Sequence, residues 1–269
     1  MFNRSIERTV QTTDGARIAY RTLGEGPRTV LFMHGWGGSG AEALWNLVLQ
    51  HLSVENVRLV LVDLRGHGRS EHVQSGFTTE RFAEDMFDIA DQLGAAELIL
   101  VAYSMSGRWA QWMSQARPER VIGQLLLAPA PAAALPLTEE MLDDWLRRTG
   151  ARETFDNWVG QFTKTQLEPD TLANYFAAVQ SNPEHTLRET FRMCSQPGFS
   201  EKLTATRAAT VVVAGMNDPM LTPDYLRNEV VRKIPGARLA LLDCGHEIPF
   251  EKPLETAAIV ETFIAPLVL

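Results

Sequence analysis

Residues 98–107 read Leu98-Ile99-Leu100-Val101-Ala102-Tyr103-Ser104-Met105-Ser106-Gly107. An apolar run leads to Ser104, which has small residues two positions away on either side, Ala102 and Ser106. A helix-like segment, Arg108 to Ala116, follows at once. This layout predicts a strand that ends in a sharp turn through a strained serine, from which a helix departs: a nucleophile elbow. The flanks must be small because such a turn brings neighbouring backbone close. The usual pattern is G-x-S-x-G. Here Ala102 and Ser106 stand at the glycine positions, so the context supports the elbow better than the bare pattern does.

Outward from this stretch, strand-like and helix-like segments alternate. Ala16 to Thr22 and Thr29 to Met33 read as strands, Ala41 to Leu52 as a helix, and Val57 to Val62 as a strand. Thr79 to Leu93 reads as a helix with Phe82, Met86, Ile89, Ala90 and Leu93 on one face and Gly94 as its stop. Leu98 to Ala102, Val121 to Leu127, Val211 to Ala214 and Leu239 to Leu242 are apolar runs bounded by turn residues. They predict strands buried on both faces, hence a parallel sheet covered by helices. Pro223 to Lys233 and Pro253 to Ile264 supply two further helices. The expected fold class is α/β, a doubly wound, mostly parallel sheet with helices on both faces.

Thr138 to Phe199 breaks the alternation, because it holds no convincing strand. Thr138 suits a helix cap before Glu139 and Glu140, Gly150 suits the end of that helix, and Asn182-Pro183 suits a cap followed by a first-turn proline. The stretch is rich in aromatic residues: Trp145, Phe155, Trp158, Phe162, Tyr175, Phe176, Phe191 and Phe199. The expected organisation is a core domain of residues 1–132 and 203–269 with a helical lid inserted at 133–202. Most of these aromatics are expected in the lid's own core, and two or three against a substrate.

The chain has 269 residues, 45% of them hydrophobic, enough for a sizeable core. A formal net charge of -8 argues against nucleic acid and against an anionic membrane surface. No apolar run reaches the roughly 20 residues that a membrane-spanning helix needs. Met1 to Val10 carries Arg4, Glu7 and Arg8 and does not resemble a secretory signal. The two cysteines, Cys194 and Cys244, fit a reduced cytoplasmic compartment or a single disulfide. No Cys/His spacing suggests a metal site, and no cofactor is expected.

Ligands of open α/β sheets bind beyond the carboxyl ends of the strands. The reactive groups that follow the predicted strands are His34-Gly35-Trp36-Gly37-Gly38, Asp63 to Ser70, Ser104, Gly215-Met216-Asn217-Asp218, and Asp243-Cys244-Gly245-His246. A serine, an aspartate and a histidine thus arrive in that order at one edge of the sheet.

With these blocks in this order, nearly the whole chain resembles the α/β-hydrolase superfamily. Its look is that of the small lidded esterases and lactonases. Pro249, Glu251 and Pro253 after Gly245-His246 add to the likeness. The resemblance implies Ser104 as nucleophile, His246 as the base that activates it, and Asp218 as the carboxylate that holds the imidazole. It assigns the oxyanion donors to the backbone N–H groups of Trp36 and Met105. Trp36, Tyr103 and Phe250 are the expected substrate contacts.

Asp243 and Asp63 compete with Asp218 for the acid. Some members of the superfamily carry the acid after the strand equivalent to Val121 to Leu127. Here that position offers Ala128-Pro129-Ala130-Pro131, which favours Asp218. Asp63 to Ser70 reads as a structural turn, as do the surroundings of His34 and His67. His51, His72 and His185 are expected at the surface. Ser106 is expected to add a hydroxyl near the site.

The expected reaction is hydrolysis of an ester or lactone with a small to medium hydrophobic acyl part. A serine nucleophile disfavours the branches that use aspartate there. The carbon–carbon hydrolase branch often carries a tryptophan shortly after the histidine, where this chain has Glu247-Ile248-Pro249-Phe250. Alternatives are acyl transfer, carbon–carbon bond hydrolysis and cofactor-free perhydrolysis on the same triad, and, from another class, a non-catalytic ligand receptor. The partner implied is a small-molecule ester or lactone.

Overall fold

The computed structural model describes residues 6–38 and 40–268, the side chains of residues 40–43 excepted. Its centre is an eight-stranded sheet of β1 (Ile6–Gln11), β2 (Arg17–Leu23), β3 (Arg28–Met33), β4 (Val57–Val62), β5 (Leu98–Tyr103), β6 (Val121–Leu127), β7 (Ala209–Gly215) and β8 (Arg238–Leu242). The spatial order is β1-β2-β4-β3-β5-β6-β7-β8. β1 and β2 join antiparallel, and every pair from β4 to β8 is parallel.

Helices cover both faces. α2 (Thr79–Gln92), α3 (Ser106–Ala116) and α8 (Pro223–Glu229) pack on one side, where Phe82 stacks on Trp109 at 4.7 Å. α1 (Gly40–Leu49) and α10 (Pro253–Ile264) pack on the other around Trp45 and Phe32. β5 lies in mid-sheet between these layers, and all six of its residues are buried, which is why its sequence shows no alternation. α2 starts where the Thr78 side chain accepts from the Arg81 N–H, and Gly94 ends it at φ +64°.

Three expectations need correction. Leu239 to Leu242 does form a strand, but not one buried on both faces: β8 is the sheet's edge, and Leu241 is exposed. β1 was not foreseen, because an outer strand with only Val10 buried has no apolar periodicity to betray it. Asn182 does not cap a helix that begins at Pro183. The helix starts one residue later, and the Asn182 amide instead donates to the Gly37 carbonyl at 3.1 Å.

Between β6 and β7 the chain forms α4 (Glu139–Thr149), α5 (Arg152–Val159), α6 (Pro169–Gln180) and α7 (Glu184–Ser195). The Thr138 side chain caps α4 by accepting from the Met141 N–H. Both ends of this helical insertion meet at Arg108 of α3. Its guanidinium donates to the carbonyls of Pro131, Ala132 and Ala133 on the way in and of Gln196 and Pro197 on the way out. Nε donates to Thr79, and among the described residues no carboxylate oxygen accepts a hydrogen bond from this guanidinium. No helix of the described residues is long and apolar enough to cross a membrane.

Candidate active site

β5 ends at Tyr103 and α3 begins at Ser106, so Ser104 sits in the turn between them with φ +52°. A non-glycine residue in this region is strained by about 1–3 kcal/mol and persists only when its surroundings hold it. The Ser104 N–H donates to the Leu127 carbonyl, and its own carbonyl accepts from Gly107 and Ala130. The Ser106 hydroxyl accepts from the Tyr103 N–H and faces the carbonyls of Met33 and Tyr103. It therefore braces the elbow from behind and adds no hydroxyl to the site, contrary to expectation. The close approaches fall on other glycines. A Cβ at Gly107 would lie 2.3 Å from that of Pro129, and one at Gly35 would lie 3.1 Å from that of Ser104.

Ser104 Oγ is 2.9 Å from His246 Nε2, and His246 Nδ1 is 2.7 Å from Asp218 Oδ2. Asp218 Oδ1 accepts from the N–H groups of Met220 and Leu221, at 2.9 Å each. A ring nitrogen facing a carboxylate carries the proton, which leaves Nε2 free to accept from the serine. Burial opposes ionisation of Asp218, but the His246 ring and these donors outweigh it and hold the carboxyl below its ordinary range. Burial likewise pushes the His246 imidazole down, and the Asp218 carboxylate more than reverses this.

The 34–37 turn runs beside Ser104, as the Gly35 contact requires. The backbone N–H groups of Trp36 and Met105 have no acceptor among the described residues. Met105 also stands at the N-terminus of α3, whose dipole favours negative charge. A serine so hydrogen-bonded can lose its proton to the imidazole as it attacks a carbonyl.

A cleft of about 360 Å³, its open mouth included, lies over Ser104 and His246. Trp36 and Tyr103 line it. Phe250 does not: the short helix α9 (Ile248–Glu251) turns its ring into the core, where it stacks behind Tyr175 at 4.9 Å. The insertion contributes Trp145, Trp158, Phe162 and Tyr175, more of its aromatics than the two or three expected. Met220 and Glu247 complete the lining and were not foreseen. Glu247 had a faint signal, being a carboxylate directly after the histidine in an otherwise apolar segment.

The competing groups lie elsewhere. Asp243 is exposed and bound to Lys164. Asp63 is buried and takes the N–H and Nε of Arg69, which makes 63–70 a structural turn. His34 and His67 pack ring to ring at 5.1 Å in the interior, and burial holds both imidazoles neutral. His51 and His72 are exposed, whereas His185 is half-buried and bonded to the Val73 carbonyl at 2.9 Å. Cys194 and Cys244 are buried and form no disulfide with each other. No cluster of His, Cys, Asp and Glu among the described residues could hold a metal ion.

A family model described as the alpha/beta hydrolase family matches residues 30–259. A 2-hydroxy-6-oxononadienedioate/2-hydroxy-6-oxononatrienedioate hydrolase of Escherichia coli (strain K12) is 26% identical, the alignment covering 93% of this chain and 91% of that protein. An esterase from Exiguobacterium antarcticum superposes with a TM-score of 0.87 at 17% identity, covering 97% of this chain and 100% of that one. A meta-cleavage product hydrolase from Pseudomonas fluorescens IP01 superposes with a TM-score of 0.81 at 20% identity, covering 97% and 98%. The two superpositions bear on the fold, while the family match runs from β3 into α10 and takes in every block from the His34 turn to the histidine loop. The chain belongs to the alpha/beta hydrolase family.

Proposed function

We propose that this chain is a serine hydrolase of small carboxylic esters or lactones that works through an acyl-enzyme. The hydrogen-bonded series Ser104–His246–Asp218 carries this reading. Ser104 Oγ attacks the ester carbonyl as His246 Nε2 takes its proton. Collapse of the tetrahedral intermediate breaks the bond to the leaving alcohol, which receives that proton. Water, deprotonated by the same nitrogen, then releases the acid and restores Ser104. Asp218 holds the Nδ1 proton in place and stabilises the imidazolium. The N–H groups of Trp36 and Met105 stabilise the oxyanion, a role in which one donor is typically worth about 10²–10³ in turnover. Residues 133–202 act as a lid whose aromatic side chains wall the cleft.

Carbon–carbon bond hydrolysis is the second reading, favoured by the Escherichia coli relative. That protein's name describes a dicarboxylate. In this chain no Lys or Arg is among the residues that line the cleft, and Glu247 is. A dianion entering such a site loses its hydration without gaining a cation. The balance therefore favours an uncharged ester or lactone group at Ser104.

The test is hydrolysis of p-nitrophenyl acetate and butyrate, alongside a dicarboxylate dienol ketone, with labelling by a fluorophosphonate probe. Wild-type protein cleaves the esters and is labelled; Ser104→Ala does neither. Residual activity near wild type in Ser104→Ala refutes the assignment. Cleavage of the ketone alone transfers it to the second reading.

A further inference from the structure

Glu247 is buried, with 3% of its surface exposed, yet it lines the cleft. One carboxylate oxygen accepts from the Tyr103 hydroxyl at 2.8 Å and the other from the Tyr175 hydroxyl at 3.3 Å. The Tyr103 hydroxyl also lies 3.4 Å from the His246 carbonyl, so both tyrosine protons are directed to acceptors within the cluster. No Lys or Arg side chain pairs with Glu247 among the described residues. Buried carboxylates are ordinarily matched by a cation. Burial pushes this carboxyl above its ordinary range, against the pull of the His246 ring and both hydroxyls.

The rest of the wall is aromatic. Trp36 and Trp145 meet at 5.4 Å between ring centres, Trp145 and Trp158 at 5.6 Å, and Trp158 and Phe162 at 5.1 Å. Phe162 and Tyr103 both flank the His246 ring, at 6.3 Å and 5.6 Å. The faces of such rings attract cations, alkylated ammonium ions above all, and do so more strongly when water is excluded. Aromatic rings and a buried carboxylate with no Lys or Arg partner among the described residues line one cleft beside the serine.

We propose that the cleft takes small esters that carry an alkylammonium group, with the cation held between the aromatic wall and Glu247. This rests on the ester-hydrolase reading above and narrows its substrate class. Glu247 is then a specificity-determining residue, and the missing cation of its ion pair arrives with the substrate.

The experiment compares acetylcholine with 3,3-dimethylbutyl acetate, a neutral ester of the same shape. Wild-type protein should show at least about tenfold higher kcat/KM for the cationic ester, carried mainly by KM. Glu247→Gln keeps the size and an acceptor, and should bring the ratio close to one. A role confined to packing or to tuning His246 would slow both esters alike and leave the ratio unchanged, which overturns the proposal. So does a wild-type ratio of one or less, and in that case the hydrolase reading stands on the neutral ester. Should Glu247→Gln fail to fold, Trp145→Leu tests the same ratio from the aromatic side. If neither ester nor p-nitrophenyl acetate is cleaved, the hydrolase reading falls, and titration of tryptophan fluorescence decides the cation site. Saturable quenching by tetramethylammonium but not by tert-butanol supports it, and no response overturns it.

Discussion

The His246 N–H donates to the carbonyl of Phe162 at 2.6 Å, so the loop that carries the imidazole hangs from the helical insertion by its own backbone. A Cβ at Gly245 would lie 2.1 Å from that same carbonyl oxygen, so only glycine permits the approach. The aromatic wall of the cleft and the position of the imidazole are therefore mechanically one unit.

Glu251 closes this joint from the side. One carboxylate oxygen accepts from the N–H groups of Lys164 and Thr165 in the insertion, and the other from the N–H of Gly245 at 2.7 Å. Glu251→Gln sets an NH₂ donor against one of these N–H groups. The expected result is a loss of about 1 kcal/mol or more of stability, a Tm lower by a few degrees, and slower hydrolysis. Calorimetry and p-nitrophenyl acetate assays check it, and unchanged values in both would remove Glu251 from the joint.

Under the proposed mechanism, activity should depend on pH through His246, which can act as the base only when Nε2 is unprotonated. Its imidazole titrates above the ordinary 6.5, because Asp218 outweighs the effect of burial. The acid limb of kcat/KM should have its midpoint above 6.5. Asp218→Asn removes the largest influence opposing burial, leaving only Glu247 and Glu251, so the midpoint should move down while the plateau falls by about 10⁴-fold. The sign for stability follows from the same shift. The His246–Asp218 contact stabilises the fold fully below the unfolded imidazole value and ceases to do so as pH rises through the folded one. A limb at or below 6.5 in the wild type contradicts this account.

Arg108 should be intolerant of lysine. Its side chain is buried and its forked donors serve backbone carbonyls at both ends of the insertion. Lysine keeps the charge but offers a single point with three donors, so buried carbonyls are left unpaired. Arg108→Lys should lower stability by about 2–3 kcal/mol and Tm by about 4–5 °C. Limited proteolysis should then cut first near residues 131–133 or 196–197. Wild-type protease resistance in the variant would show that the ends hold together without the clamp.

Gly35→Ala should harm catalysis more than stability. The added methyl would lie 3.0 Å from the Tyr103 ring and 3.1 Å from the Ser104 Cβ, so the elbow must shift by a few tenths of an ångström. A displacement of that size at the proposed nucleophile should lower kcat by about tenfold or more while Tm moves little. Kinetics and thermal unfolding on one preparation separate the two effects.

The sheet, its helices and the Ser104, Asp218 and His246 positions were legible in the chain because each depends on local order: apolar runs of strand length, turn residues after them, and reactive groups at the ends. Asp218 could be preferred because the region after β6, the other place for the acid, holds no carboxylate, while only the fold shows Asp243 drawn outward to Lys164. Phe250 misled for the opposite reason. Closeness in sequence to His246 says nothing about direction, and the single turn of α9 rotates that ring behind Tyr175. The weak edge strand β1 and the bracing role of Ser106 were equally silent, since each is defined by a partner strand or carbonyl distant in sequence.

By itself, then, the chain's order of residues determined the layered architecture and the chemical types available at the rim, because backbone propensity and apolar periodicity act over a few residues. Tertiary structure alone decided which side chains share the cleft. Trp145, Trp158, Phe162 and Tyr175 come from an insertion folded back over β5, and Glu247 meets Tyr103 from 144 positions away. Such meetings arise from the packing of whole elements, which no local pattern encodes.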